Sequence, residues 1–144
     1  MYTTGRMHNR VRMIVASYLT KHLLIDWRQG LKWFEECLID WDPASNAMGW
    51  QWVAGSGPDA SPFFRVFNPE LQAKKFDPEG KYQMKYLGQS YVSNDQSGKF
   101  YDMAPKSWHI DQKSRPSSSI VDLKFGRDRA LNSYSKFKKI IADL

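Results

Sequence analysis

Apolar side chains recur at helical spacing along this chain, and no segment of any length alternates with the two-residue period of a strand. Between Met7 and Leu24 the stripe is Val11, Ile14, Val15 and Tyr18. Asp26 then reads as an N-cap, with Gln29 three residues on completing a capping box. The helix behind it carries Trp27, Leu31, Phe34 and Leu38 on one face and is predicted to stop near Asp40. The Asp, Pro, Ser, Asn and Gly content of residues 40–62 predicts a long loop, with a short helix around Asn46–Trp52. Asn68-Pro69 marks another helix start, with proline at the first helical position. Residues 88–119 are polar and rich in Ser, Gly and Pro, which predicts a surface excursion. Asp122 begins a last helix, carrying Leu131, Tyr134, Lys138 and Ile141 at helical spacing. The fold class is therefore all-α.

The chain's 144 residues amount to one domain. Its start, Tyr2-Thr3-Thr4-Gly5, reads as a loop that passes at once into helical pattern, so upstream structure is expected to be missing. Aromatics make up 15% of the residues, six of them Trp, and rings in such number must fill a core, line a site or meet a partner. A formal charge of +6 favours a polyanionic partner, nucleic acid or an anionic membrane surface. Cys37 is the only cysteine, which excludes an intrachain disulfide and a cysteine-based metal site. His8, His22 and His109 lack the paired spacing of a zinc site. No apolar run is long enough to cross a bilayer, and the first residues carry no signal-peptide pattern. A soluble, cytoplasmic setting without a membrane partner is expected.

Three constellations offer chemistry. Asn9, Arg12, Met13 and Ala16 share one face of the first helix, opposite the Val/Ile/Tyr stripe. That face is either solvated or lines a ligand cavity, where Arg12 would need a carboxylate or phosphate partner. Asp40-Trp41-Asp42 supplies two carboxylates, which are turn formers or, with Arg12, holders of a polar ligand; Asn46 adds an amide with donor and acceptor atoms. Gly49-Trp50-Gln51-Trp52 sends two indoles in different directions, into core packing or towards a cofactor and a flat ligand. Arg65, Lys74, Lys75, Lys81 and Lys85 are interleaved with Phe63, Phe64, Phe67 and Phe76. This arrangement suits a phosphate backbone and equally a plain basic surface.

Ordered motifs along nearly the whole chain resemble the flavin-binding domain of class I DNA photolyases and cryptochromes. They are Thr4-Gly5-Arg6-Met7-His8-Asn9-Arg10-Val11-Arg12-Met13, Leu24-Ile25-Asp26-Trp27-Arg28 and Leu38-Ile39-Asp40-Trp41-Asp42-Pro43-Ala44-Ser45-Asn46. They continue through Gly49-Trp50-Gln51-Trp52, Phe64-Arg65-Val66-Phe67-Asn68-Pro69 and Lys75-Phe76-Asp77, and close with Ile120-Val121-Asp122, Arg127-Asp128-Arg129-Ala130-Leu131 and Tyr134. The resemblance implies an all-helical fold holding a U-shaped FAD contacted by Asn9, Arg12, Asp40, Trp41, Asp42 and Asn46. It pairs Arg12 with Asp40 and sets Asn46 beside flavin N5. Trp50 and Trp27 would be inner and middle members of an electron relay. Asn9, Met13 and Trp52 would line the pocket for a lesion flipped out of DNA, and Arg10, Arg65 and Gln72 would touch the DNA. The implied activity is light-driven electron transfer from reduced flavin that splits a cyclobutane pyrimidine dimer, by a monomer acting on UV-damaged DNA.

The sequence also departs from that pattern. The family's N-terminal antenna domain, its FAD-phosphate segment and the acidic residue and Trp that help hold the dimer are missing, so residues 1–144 read as part of an FAD-binding domain that binds no antenna chromophore. Arg6 stands where many members have Trp, and Trp41 where many have Gly. A blue-light receptor of the cryptochrome kind and an inactive DNA-binding fragment are the competing readings. Asn46 favours repair.

Overall fold

The structure, a computed structural model, describes residues 1–2, 4–87, 109 and 119–143. These residues hold six α-helices and no strand, the all-α class expected. They fall into two compact units, one built from Met1–Pro69 with Val121–Leu144, the other from Glu70–Ile120. The predicted surface excursion over 88–119 lies almost wholly outside the described residues.

In the first unit, α1 runs from Asn9 to Ser17, with His8 as its cap, and continues as one turn of π-helix over Tyr18–His22. The sequence predicted a single helix from Met7 to Leu24 and gave no sign of the wider turn. Leu24 closes it in the left-handed region, at φ 56°, a conformation that is costly for a residue with a Cβ. Ala16 and Ser17 are the buried residues of α1, whereas the stripe of Val11, Ile14, Val15 and Tyr18 is only half-buried. Helix α2, Trp27–Cys37, is capped by Asp26, whose carboxylate accepts from Arg28 N–H at 2.8 Å. Its last helical residue is Cys37, close to the predicted stop near Asp40, and it buries Phe34 within its predicted face.

The short helix expected around Asn46–Trp52 within the 40–62 loop is longer than predicted: α3 runs twelve residues, Pro43–Ala54, and the residues after it remain irregular. Asp, Pro, Ser and Asn were counted as helix breakers, yet here they are start signals. Asp42 is the N-cap, accepting from Ser45 N–H at 2.6 Å, and Pro43 occupies the first helical position, where its missing N–H costs nothing. Gly55, at φ 82°, ends the helix in the left-handed conformation a glycine adopts freely.

The core forms where α2 crosses α3. Trp50, 3% exposed, packs its ring edge-on to Phe34 with centroids 4.9 Å apart, and Ala16, Leu38 and Val53 complete the buried cluster. Gly30 is what lets the helices approach so closely, since a Cβ there would collide with the six-membered ring of Trp50. Gly5, at φ 66°, is likewise backed against Ile39, whose N–H it accepts at 3.0 Å, and this seats the N-terminal loop beside the α2–α3 connection.

Helix α4, Pro69–Phe76, begins at the predicted proline, and all but that first residue belong to the second unit. A short helix α5, Lys81–Leu87, was not anticipated; Asp77 accepts from the backbone N–H groups of Tyr82 and Gln83 at its start. The last helix, α6, Leu123–Ala142, belongs to the first unit and starts at Asp122 as predicted, the carboxylate accepting from Phe125 N–H at 2.7 Å. It buries Gly126 and Ala130 against the π-turn, where Arg129 donates to the carbonyl of His22. Among the described residues no helix is long and apolar enough to cross a membrane.

The Gly30–Trp50 contact makes a specific prediction. Gly30→Ala should destabilise the fold by about 1–2 kcal/mol, because overpacking against a rigid buried indole outweighs the roughly 1 kcal/mol that alanine gains in a helix. Gly49→Ala, where a Cβ meets nothing within 4 Å, should keep that gain. Thermal unfolding of the two variants should therefore shift in opposite directions.

Candidate cofactor site

Arg12 projects from the third residue beyond the start of α1 and is pinned at both ends. Its Nε donates to the carbonyl of Met7 at 2.8 Å, and its Nη2 reaches both carboxylate oxygens of Asp40, at 2.8 and 3.0 Å. The ion pair joins α1 to the α2–α3 connection across 28 residues of sequence. Arg12 is mostly covered and Asp40 more than half exposed, so the guanidinium is held by protein while the carboxylate still faces outward. The hydrogen bond from Arg12, reinforced by its charge, holds the Asp40 carboxyl below the usual range. Asp42 is also lowered, chiefly by the Ser45 backbone N–H that it caps. Both acids are therefore anions at neutral pH.

These groups surround one cavity of about 280 Å³. Its floor is apolar, made by Ala16, Phe34, Trp50 and Val53. Its rim is polar: Asn9 and Arg12 from α1, Asp40 and Asp42 from the connection, Ser45 and Asn46 from the first turns of α3. Met13 and Gly49 complete the wall. Asn46 donates through Nδ2 to the carbonyl of Asp42 at 3.0 Å, which leaves its amide oxygen as the acceptor available to a ligand. The indole N–H of Trp50 is buried with no hydrogen-bond partner in the protein, an unmet demand that a ligand or a water could satisfy. A flat heterocycle with polar edges suits such a site, its face on the floor and its edges at the rim.

Of the residues singled out in the sequence, Asn9, Arg12, Met13, Asp40, Asp42, Asn46 and Trp50 meet at this cavity. Trp41 does not line it, but packs half-buried against the core cluster. Trp27, at the first position of α2, packs against the same cluster with the Arg28 guanidinium 5.1 Å from its ring. Trp52 lines a neighbouring cavity of about 230 Å³ that shares Gly49 with the first. Asn9 and Met13, with which it was grouped as a lesion pocket, line the first cavity. Arg65 lies 5.8 Å over the Trp52 ring. Arg10 is half-buried on α1 away from the cavity, and Gln72 lies on α4 in the second unit. The interleaved cations and rings are likewise divided, Arg65, Phe63, Phe64 and Phe67 in one unit and Lys74, Lys75, Phe76, Lys81 and Lys85 in the other.

Sequence reasoning missed two buried polar residues, Ser17 and Lys21, both fully inaccessible. A signal was present: the positions three and four away from Lys21 are Ser17, Tyr18, Leu24 and Ile25, so no helical neighbour could neutralise it on the surface.

Comparison with known proteins places this geometry. The family model described as the FAD binding domain of DNA photolyase matches residues 1–136. The deoxyribodipyrimidine photo-lyase of Agrobacterium fabrum is 51% identical over 145 residues, covering 96% of this chain and 30% of that protein. The crystal structure of a bacterial class III photolyase from Agrobacterium tumefaciens superposes with a TM-score of 0.72 at 51% identity, covering 94% of this chain and 29% of that one. A cryptochrome from Synechocystis superposes with a TM-score of 0.67 at 35% identity, covering 90% and 27%. The chain thus spans less than a third of the length of these relatives. The narrower expectation of class I finds no support here, since one of these neighbours is a class III protein.

The ion pair has a pH signature. A carboxyl held below its ordinary value of 3.8 in the fold contributes stability above that value and loses it as pH falls through the folded value. Asp40→Asn should therefore lower the unfolding midpoint at pH 6, and the gap to the unsubstituted chain should close as the pH is brought towards 3. Denaturant titrations at a series of pH values would measure it.

Proposed function

Because the chain belongs to the family of the FAD binding domain of DNA photolyase, we propose that it supplies the C-terminal, helical part of a flavin cradle used in light-driven repair of cyclobutane pyrimidine dimers. The observation that carries this reading is the doubly hydrogen-bonded Arg12–Asp40 pair, standing with Asp42 and Asn46 around one cavity floored by Trp50.

The residues fit FAD in kind and in size. A cavity of about 280 Å³ lies at the lower end of the roughly 300–1,000 Å³ typical of ligand sites, enough for a ring system but not for a whole dinucleotide. Asp40, Asp42 and the Asn46 oxygen would accept from the polar edge of the ring, and the floor would take its face. When bound and reduced, the flavin supplies the light-absorbing electron donor. The chain's own part is orientation and electrostatics. Arg12 and Asp40 are already paired, so the rim is ordered before any ligand arrives. Trp50 and Trp27, both in the apolar cluster, are assigned as the inner and middle steps of an electron relay, indole being an oxidisable side chain.

On the DNA side, Asn9 and Met13 are assigned to the flipped lesion, and Trp52 to stacking on an adjacent base, a contact worth about 1–3 kcal/mol. Arg10, Arg65 and Gln72 are assigned to the strand itself. A positive overall charge supports a polyanionic partner.

The test begins with FAD. Flavin should co-migrate with the chain in gel filtration, and illumination with a reductant and a thymine-dimer oligonucleotide should remove dimers. Trp50→Phe should slow photoreduction of the bound flavin. A chain that takes up no flavin favours the inactive DNA-binding reading, and photoreduction without loss of dimers assigns a blue-light receptor instead.

A further inference from the structure

The stretch from Ser61 to Phe67 has no regular secondary structure, yet it is fastened at both ends. Ser61 N–H donates to the Trp52 carbonyl at 3.1 Å, which ties its beginning to the end of α3. Its far end is held by the two buried polar residues that the cavity does not use. Ser17 Oγ accepts from Phe67 N–H at 3.0 Å, and Lys21 Nζ donates to the carbonyl of Arg65 at 2.9 Å. Lys21 also lies 5.0 Å over the ring of Phe63, itself stacked on Tyr134 of α6 at 4.3 Å.

Among the described residues no carboxylate pairs with Lys21, which is unusual for a lysine with no exposed surface. Burial, with the nearby Arg65 charge, lowers its pKa to about 8, so near neutral pH it mostly keeps its proton and its full donor strength. A buried cation whose hydrogen bond goes to a backbone carbonyl fixes that carbonyl more firmly than a neutral donor would. The residue carrying that carbonyl is Arg65, whose exposed side chain lies over Trp52.

We propose that Lys21 and Ser17 are positioning residues that fix the backbone at Arg65–Phe67, so that the Arg65 guanidinium is presented over Trp52 in the orientation that meets a DNA phosphate. The proposal rests on the reading that places Arg65 at the DNA. Neither positioning residue touches the ligand, because both are sealed from solvent. Their effect passes through Arg65 and vanishes when Arg65 is removed.

The measurement is a double-mutant cycle with the full chain and a duplex carrying one thymine dimer, its affinity followed by fluorescence anisotropy over a salt series. Arg65→Ala should weaken binding and lower the salt slope by about 1. Lys21→Met should weaken binding about fivefold, the weight of one hydrogen bond, and should have no further effect in the Arg65→Ala background. Ser17→Ala should behave in the same way, and it carries the cycle if Lys21→Met does not fold. Losses that add in full to that of Arg65→Ala, or single variants that bind like the unsubstituted chain, overturn the positioning role while leaving Arg65 at the DNA. An Arg65→Ala variant with unchanged affinity and salt slope overturns the interface reading, and the proposal with it.

Discussion

The seating of Trp50 beneath α2 is the contact on which the remaining geometry depends. Gly30 removes the side chain that would hold the helices apart, and Phe34 meets the indole edge-on. With α3 fixed at that depth, its first turn comes up beside α1, so Asp42, Ser45 and Asn46 face Asn9 and Arg12 across one cavity. The same indole is core and floor at once. Its ring supplies apolar burial, and its unpartnered N–H leaves a polar demand that the protein itself does not meet.

How much of this was legible in the sequence follows from the range of each signal. Helix starts at Asp26, Pro69 and Asp122 were readable because capping is local chemistry, decided within three residues. The start of α3 was misread for the same locality: Asp42-Pro43-Ala44-Ser45-Asn46 contains the residues of a turn and of a helix entry, and composition alone does not separate them. The π-turn at Tyr18–His22 left no mark, since it is stabilised from far away, by Arg129 on the His22 carbonyl and by the close approach of Gly126. Charge chemistry set Arg12 with the carboxylates of Asp40 and Asp42, and the choice of Asp40 as its partner came from resemblance to a family and from no spacing rule. The two partners lie 28 residues apart on separate elements.

Two kinds of buried charge coexist in the first unit and do different work. Arg12 is answered by a carboxylate, and that pair faces a cavity, so its electrostatics are available to a ligand. Lys21 is answered by a carbonyl and an aromatic face, and it opens onto nothing, so its electrostatics are spent inside the fold. Net positive charge therefore says little by itself about where an anion would bind. Placement decides, and Arg65, exposed beside an indole, is one cation whose surroundings combine charge with a stacking surface.

The two carboxylates on the rim are also unequal, although sequence spacing makes them look like a matched pair. Asp42 is bound to its own helix: one oxygen takes the Ser45 N–H, and its backbone carbonyl takes the side chain and the N–H of Asn46. Removing its side chain disturbs the start of α3 and thereby the placing of Asn46, so a loss of ligand binding there would mix folding with recognition. Asp40 caps no helix, and its side chain is held by a guanidinium from another element. Replacing it leaves the caps of α1, α2 and α3 intact and changes mainly the charge at the rim and the freedom of Arg12. Of the two positions, Asp40 is therefore the one at which the electrostatics of the cavity can be separated from the integrity of the helices that build it.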